Sequence, residues 1–395
     1  MKLQRLLALA AGIGLILATA ECMCQASPAR ESRRSHALAL EQQERLPEAE
    51  AAWQEIATAN PGDGEAFAHL GLLRARQEHF PQAIVAYRKA VALNAKLPGL
   101  RLNLGLAYFK SGDMPSAIAT LEPLLRSAPP ESAEASRLTT LIGLAHYGAG
   151  QYPAAIPYLK TATKADPQNQ QFLLYLAQSC LWSKQYPCVL DTYREILSLN
   201  AESPEADMLA GEAYDEMKDE ANALRQFEAA VQAGPNTPDA HFGYGYLLWR
   251  ALKFDEAEKQ FRSELKVNPD HPLALTYLGD IQMRSSHLDE AAPLLQHAVH
   301  LQPTIALAHL DLGIIFAGQG RNEDAVRELK EAAKLSPGNP KVHWQLGKLY
   351  QSTGHAAEAK LELDKTRMLK ESADQSLVRQ LHQDQGAAPT TATVK

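Results

Sequence analysis

Residues 204–237, Pro204 to Thr237, read PEADMLAGEAYDEMKDEANALRQFEAAVQAGPNT, and the same plan starts again at Pro238. Leu209, Ala210, Ala213 and Tyr214 share one helical face, and Met217-Lys218-Asp219-Glu220 then makes a short polar turn. Ala223, Phe227, Ala230 and Val231, spaced four, three and one, fall on one face of a second helix. Gly234-Pro235 ends that helix, because proline has no amide to donate and disfavours an α residue before it. Two helices of roughly fourteen residues are each too short to be stable alone, so they must pack as a hairpin. A glycine inside a helix costs about 1 kcal/mol against alanine, so Gly211 needs a reason. Gly211 and Ala223 let the two backbones approach, while Tyr214 and Phe227 fill the space toward the next hairpin.

The pattern extends along nearly the whole chain. Gly71, Gly105, Gly143, Ala177, Gly211, Gly245, Gly279, Gly313 and Gly347 recur in steps of 34, except for one step of 38 between Gly105 and Gly143. A second ladder lies twelve residues further on: Ala83, Ala117, Ala155, Val189, Ala223, Ala257, Ala291, Ala325 and Ala359. Two ladders in fixed phase mean one supersecondary unit copied many times, each copy covering the apolar flank of its neighbour.

Leu104-Gly105, Tyr108, Ala117, Leu121 and Pro129 are similar to the tetratricopeptide repeat, as are Leu346-Gly347, Tyr350, Ala359 and Leu363. The resemblance covers about residues 30–373 and implies an all-α fold, a right-handed α-α superhelix. Its ten hairpins would begin at Arg30, Gly64, Pro98, Ser136, Gln170, Pro204, Pro238, Pro272, Ala306 and Pro340. The first copy, with Ala37 in the glycine place and a polar first helix, reads as a degenerate end cap. The fifth, with Ala177 and Val189, should hold its helices slightly farther apart. Pro129-Pro130-Glu131-Ser132 marks a lengthened loop before the fourth copy.

The ends differ from the repeats. Lys2 and Arg5 precede the uncharged run Leu6 to Ala20, and Ala18-Thr19-Ala20 has the small-x-small form of a cleavage site. Residues 1–20, or 1–26 if cleavage follows Cys24-Gln25-Ala26, are expected to be a secretory signal peptide. The run is short of the ~20 residues a spanning helix wants. The expected location is therefore periplasmic or secreted; an inner-membrane anchor through an uncleaved segment is the alternative. Residues 374–385 are expected to extend the last helix as a cap, with Leu377, Val378 and Leu381 covering the final flank. Residues 386–395 are expected to be disordered.

With 46% hydrophobic and 22% charged residues the composition is that of a folded protein, and the net charge of -7 argues against nucleic-acid partners. Cys180 and Cys188 flank the turn of the fifth hairpin, but Cys188 precedes the packed Val189 and should point outward, so two free thiols are expected. There is no phosphate-binding glycine loop, no His-Glu-x-x-His and no Cys-x-x-Cys. Gly243-Tyr244-Gly245 lies inside a helix rather than at a strand-to-helix turn. His297 and His300 are three apart with nothing ligand-like beside them. No catalytic residue, cofactor or metal is expected, and the repeats leave no room for a catalytic domain.

What remains is surface. The resemblance implies that first helices line a concave groove, which in this family typically binds peptides, through the second, fifth, ninth, twelfth and thirteenth residues of each copy. Those places hold Leu102, Leu106 and Phe109; Leu144 and Tyr147; Leu174, Leu181 and Trp182; Met208, Glu212, Asp215 and Glu216; and Phe242, Tyr246, Trp249 and Arg250. Contiguous exposed apolar groups mark interaction sites, although some of these side chains could instead pack against neighbouring copies. The family's carboxylate clamp needs asparagine in the ninth place, and none of the ten copies has it there. The expected function is a non-enzymatic scaffold binding a protein or peptide segment, one carrying some Lys or Arg, in an exported compartment. The alternative is a glycan- or small-ligand-binding accessory of a cell-envelope or polysaccharide-export system, with Trp182, Tyr246 and Trp249 stacking on sugar rings.

Overall fold

The computed structural model describes residues 28–93 and 97–386. The expected signal peptide, Cys22, Cys24 and nearly all of the expected disordered tail lie outside the described residues, as do the side chains of Leu377, Val378 and Leu381. Among the described residues there are twenty helices and no strand. They fall into two compact units, residues 1–185 and 186–395. The first unit holds α1 (Pro28–Gln42), α2 (Leu46–Ala59), α3 (Gly64–Arg76), α4 (Phe80–Ala92), α5 (Leu100–Ser111), α6 (Met114–Ser127), α7 (Ala133–Gly148), α8 (Tyr152–Ala165) and α9 (Gln170–Trp182). The second holds α10 (Tyr186–Leu199), α11 (Pro204–Glu216), α12 (Glu220–Ala233), α13 (Ala240–Arg250), α14 (Phe254–Val267) and α15 (Pro272–Arg284). It continues with α16 (Leu288–Leu301), α17 (Ala306–Gly318), α18 (Asn322–Leu335), α19 (Pro340–Ser352) and α20 (Ala356–Gly386).

Within each unit the helices pair as hairpins and each hairpin packs on the next. The alanine-valine ladder is buried at every step, from Ala83 to Ala359. The glycine ladder packs differently from the expectation: each glycine faces not the small residue twelve places on but the large one sixteen places on, except Gly143, whose nearest neighbour is Tyr158, fifteen on. A Cβ added at Gly71 would lie 2.5 Å from Tyr87; at Gly105, 2.5 Å from Leu121; at Gly211, 2.8 Å from Phe227; at Gly313, 2.5 Å from Leu329. The glycine is the socket and the aromatic or leucine is the plug. Phe227 is also pressed against Gly243 of the following hairpin, where a Cβ would lie 2.2 Å away. Both glycines of Gly243-Tyr244-Gly245 are therefore packing positions inside α13, the second receiving Phe261. Full burial of a side chain like Phe261 is worth about 2–3 kcal/mol. In the first copy Ala37 plays the socket and Trp53 the plug; both are wholly buried, and Trp53 stacks on His69 at 4.2 Å. The degenerate copy thus packs on the same plan as the others.

Each hairpin turn carries one residue in the left-handed region at the same register. In the second unit these are Lys218, Leu252, Ser286, Gly320 and Gly354, with φ of 64°, 61°, 65°, 73° and 81°. The following amide reaches back five residues to a helix carbonyl, as in Asp219 to Tyr214 and Arg321 to Phe316, both 2.9 Å. This closure satisfies carbonyls that the helix end would otherwise orphan. Between hairpins, His241, His309 and His343 tie the loop down. One ring nitrogen of each meets the carbonyl of Pro235, Pro303 or Pro337, at 3.1, 2.9 and 3.0 Å, and the other meets Gln260, Glu328 or Glu362.

Cys180 and Cys188 are both disulfide-bonded, which overturns the expectation of free thiols. That expectation rested on Cys188 turning away from the packed side; it is only half-exposed, and Cys180 is wholly buried. The helix of the last copy continues past its repeat to Gly386. No helix among the described residues is long and apolar enough to cross a membrane.

Candidate functional site

In the second unit, consecutive first helices touch one another: α11 with α13, α13 with α15, α15 with α17, and α17 with α19. Among the described residues no two consecutive second helices approach as closely, so the first helices lie on the inside of the curve. A cleft of about 410 Å³ opens on this face. Its walls are Met208, Glu212 and Asp215 of α11, Phe242, Gly243, Tyr246 and Leu247 of α13, and Leu273 of α15. Phe227, Asp239 and His271 complete it. The structure thus brings together five of the residues that the sequence singles out: Met208, Glu212, Asp215, Phe242 and Tyr246. Asp239 and Leu273 also belong, and they occupy the second place of their copies. Applying the same register rule to every copy would have found them.

The cleft is acidic and only partly neutralised. Arg250 donates from Nη1 to both carboxylate oxygens of Asp215, at 2.7 and 2.8 Å, and from Nη2 to Glu220 at 3.4 Å. The Tyr186 hydroxyl donates to Glu216 at 3.3 Å. Glu212 makes no hydrogen bond or ion pair among the described residues. Glu212 is exposed at the cleft rim, with its carboxyl partly desolvated by the neighbouring protein. That desolvation, with the Asp239 and Glu216 carboxylates nearby, pushes Glu212 above the usual glutamate range.

Asp239, Glu264 and His271 form a cluster with metal-like composition, their ligand atoms within 4.8 Å of one another. Most of these ligand atoms already take part in hydrogen bonds. Glu264 accepts the amides of Asp239 and Phe242, both at 3.1 Å, and so caps the start of α13. His271 Nδ1 accepts the Ala274 amide at 3.0 Å, which leaves the ring proton on Nε2 to donate to Asp239 at 2.9 Å. The cluster is a clamp on the helix start, and Asp239, left-handed at φ 66°, is held by it. Of the histidines three apart, His297 pairs with Asp270 at 3.1 Å.

The three aromatics of the seventh copy form a half-buried row. Phe242 and Tyr246 lie 6.2 Å apart, Tyr246 and Trp249 6.3 Å apart, and Tyr277 contacts all three. Burial first, then Tyr246 and Asp280, push the Tyr277 hydroxyl up to about 12. Trp249 is pinned rather than free: its Nε1 donates to Asp280 Oδ2 at 2.7 Å, and Arg284 Nε donates to the same oxygen at 2.6 Å. Asp280 and its neighbour Asp311 are both completely buried. The other Asp280 oxygen and both Asp311 oxygens have no other donor. One proton held between the two carboxyls would partner two of these three oxygens and remove one of two adjacent buried charges. Burial, then the adjacent Asp280, accordingly hold Asp311 well above the usual range, against the pull of Lys341 and Arg284.

In the first unit, Leu102, Leu106, Phe109, Leu144, Tyr147 and Leu174 are partly exposed. Tyr147 donates its hydroxyl to Gln178 and lies 4.6 Å from the Tyr175 ring. Trp182 is 62% exposed and stacks on Tyr152 at 5.8 Å. Leu181, by contrast, is only 9% exposed and has little surface to offer a partner.

An all-α array of stacked helical hairpins with an open inner face is the architecture of a helical-repeat binding protein. Family models described as TPR repeat match residues 71–112 and 315–354, and models described as tetratricopeptide repeat match 102–139, 146–212, 221–251 and 244–304. The chain belongs to the tetratricopeptide repeat family. Among curated proteins, none matches this sequence. Three solved structures illustrate the likeness. A tetratricopeptide repeat protein from Parabacteroides merdae is 18% identical, with 68% of this chain and 97% of that one covered, at a TM-score of 0.47. YrrB, described as a TPR protein with an unusual peptide-binding site, is 19% identical over 48% of this chain and 97% of its own, at 0.39. MamA from Desulfovibrio magneticus is 22% identical over 43% and 97%, at 0.38. Proteins of this family are generally non-enzymatic scaffolds whose repeats mediate protein or peptide interactions.

Proposed function

We propose that this chain is a non-enzymatic scaffold that captures an extended or helical segment of another protein on the inner, first-helix face of its repeats. The observation that carries the reading is the cleft between α11 and α13, which combines an aromatic wall with acidic groups not fully neutralised from within. Its volume falls in the range of preformed ligand sites, roughly 300–1,000 Å³. A preformed face assembled from many small contacts gains specificity from their spacing and loses little entropy on binding. The first unit's partly exposed row from Leu102 to Leu174, with Trp182, is assigned the same role.

The scaffold is placed in an exported compartment. The basic start and uncharged run of residues 1–20 support this, as do two disulfide-bonded cysteines, which suit an oxidising environment. Cell fractionation with mass measurement of the chain tests export: recovery in the cytoplasmic fraction with Met1 intact would end that part of the reading. A second reading, glycan binding, is favoured by one feature, the flat exposed Trp182 ring backed by Tyr152. Tryptophan fluorescence titrated with oligosaccharides and with peptide pools separates the two. Saturation by peptides but not sugars supports the scaffold; the reverse result overturns it.

A further inference from the structure

We infer that the cleft between α11 and α13 is a receptor for one basic side chain, a lysine or arginine carried by the captured segment, with Glu212 as its counter-ion. The inference deepens the scaffold reading and rests on it. Three features of the cleft converge.

The first is charge. Glu212, Asp215 and Asp239 all face the cleft. The cation the chain itself supplies there, Arg250, is already committed to Asp215 and Glu220. Asp239 already accepts a hydrogen bond from His271 Nε2. Glu212 alone among these carboxylates has no donor among the described residues, so an incoming cation would find one carboxylate waiting rather than having to break an existing pair.

The second is shape. The rings of Phe242 and Tyr246 stand side by side along α13, and Phe227, packed on Gly243, continues the apolar lining. With Met208 opposite, they form an apolar wall suited to the methylene stem of a lysine or arginine, whose charged head then reaches the carboxylate. A ring face beside the cation adds attraction of its own. The third is electrostatic strain in the free protein. Glu212 is crowded by Asp239 and Glu216, which raises its affinity for a proton, and a bound cation would relieve that crowding. An uncharged apolar segment would gain nothing from this arrangement.

The charged groups facing Glu212 are Asp215 and Glu216 on its own helix, Asp239 before α13, Arg250 on α13, and His271 before α15. A cation bound to ionised Glu212 competes with its proton. Affinity for a basic segment should therefore rise with pH from the ordinary glutamate range upward and level off once Glu212 is ionised.

The test uses the full chain and a random dodecapeptide library. Selection on the wild-type chain should enrich peptides with lysine or arginine at one fixed position. Glu212→Gln, isosteric and at a residue without a partner, should keep the circular dichroism spectrum. It should weaken the lead peptide by roughly ten- to a hundredfold, the range for a hydrogen bond to a charged group. Replacing the peptide's basic residue with norleucine should cost the same, and combining both changes should cost little more. The rise of affinity with pH should vanish in Glu212→Gln. Peptides enriched without a basic residue, or a lead that binds Glu212→Gln unchanged, would overturn the receptor assignment while leaving the scaffold reading intact. A free diamine that competes as well as the peptide would point to a small-molecule site instead. Failure to enrich any peptide would sink the scaffold reading and the receptor with it.

Discussion

Replacing Gly313 with alanine should destabilise the protein, although alanine is the better helix former. Gly313 lies inside α17, where intrinsic propensity alone would favour alanine by about 1 kcal/mol. The added Cβ would sit 2.5 Å from Leu329 Cγ, 2.7 Å from Cδ2 and 3.3 Å from the Leu329 amide nitrogen. Leu329 is itself buried, and its Cγ is a branch point rather than a free end. The leucine cannot turn aside, so α18 must move away from α17. Overpacking of this kind costs about 1–3 kcal/mol, and with two heavy atoms inside 2.8 Å the upper part of that range applies, leaving a net loss of up to roughly 2 kcal/mol after the propensity gain. Gly318, in the same helix, provides the control: nothing lies within 4 Å of its Cβ position. Gly318→Ala should be neutral or stabilising by up to about 1 kcal/mol. Urea unfolding followed by far-ultraviolet circular dichroism would compare the two, with amide exchange across α17 and α18 reporting the local effect, since repeat arrays need not unfold in one step. If Gly313→Ala stabilised the chain as much as Gly318→Ala, the socket-and-plug account of the glycine ladder would be wrong.

Two further outcomes follow from single positions. Leu252 is 71% exposed and left-handed at φ 61°, so Leu252→Gly removes strain with little packing lost. Chemical denaturation should show a gain of about 1 kcal/mol; a loss would mean that the turn is not strained. Asp311 holds its proton more tightly when folded than when unfolded, so its contribution is complete below the unfolded aspartate value and falls as pH rises toward the folded one. Asp311→Asn keeps a donor toward Asp280. It should flatten the acid-to-neutral dependence of the urea midpoint and raise that midpoint at neutral pH. An unchanged pH profile would remove the shared proton from the account.

The hairpin unit was legible because the residues that make it repeat in register: every member of the alanine-valine ladder is buried where its spacing demands. The partner of each glycine was harder to read. Gly211 and Ala223 look like a matched small pair along the chain, but the twist of two packed helices brings Phe227 over the glycine instead. The turn register was legible in part. Gly112, Gly150, Gly320 and Gly354 mark the left-handed place, while Lys218, Leu252 and Ser286 hide it in other copies. The candidate face divided similarly. Glu212, Phe242 and Tyr246 follow from inward register, but Trp249 was committed to Asp280, a residue 31 places away in the next copy. The Asp280–Asp311 pair is also set by stacking between copies, and no spacing within one copy displays it.

The most direct test is hydrogen–deuterium exchange of the full chain with and without a library-selected peptide. The account predicts slowed exchange concentrated in Met208–Glu216 and Phe242–Arg250, the two helices that wall the cleft. Protection confined to the second helices, such as α12 and α14, or to the loops joining successive hairpins, would contradict it.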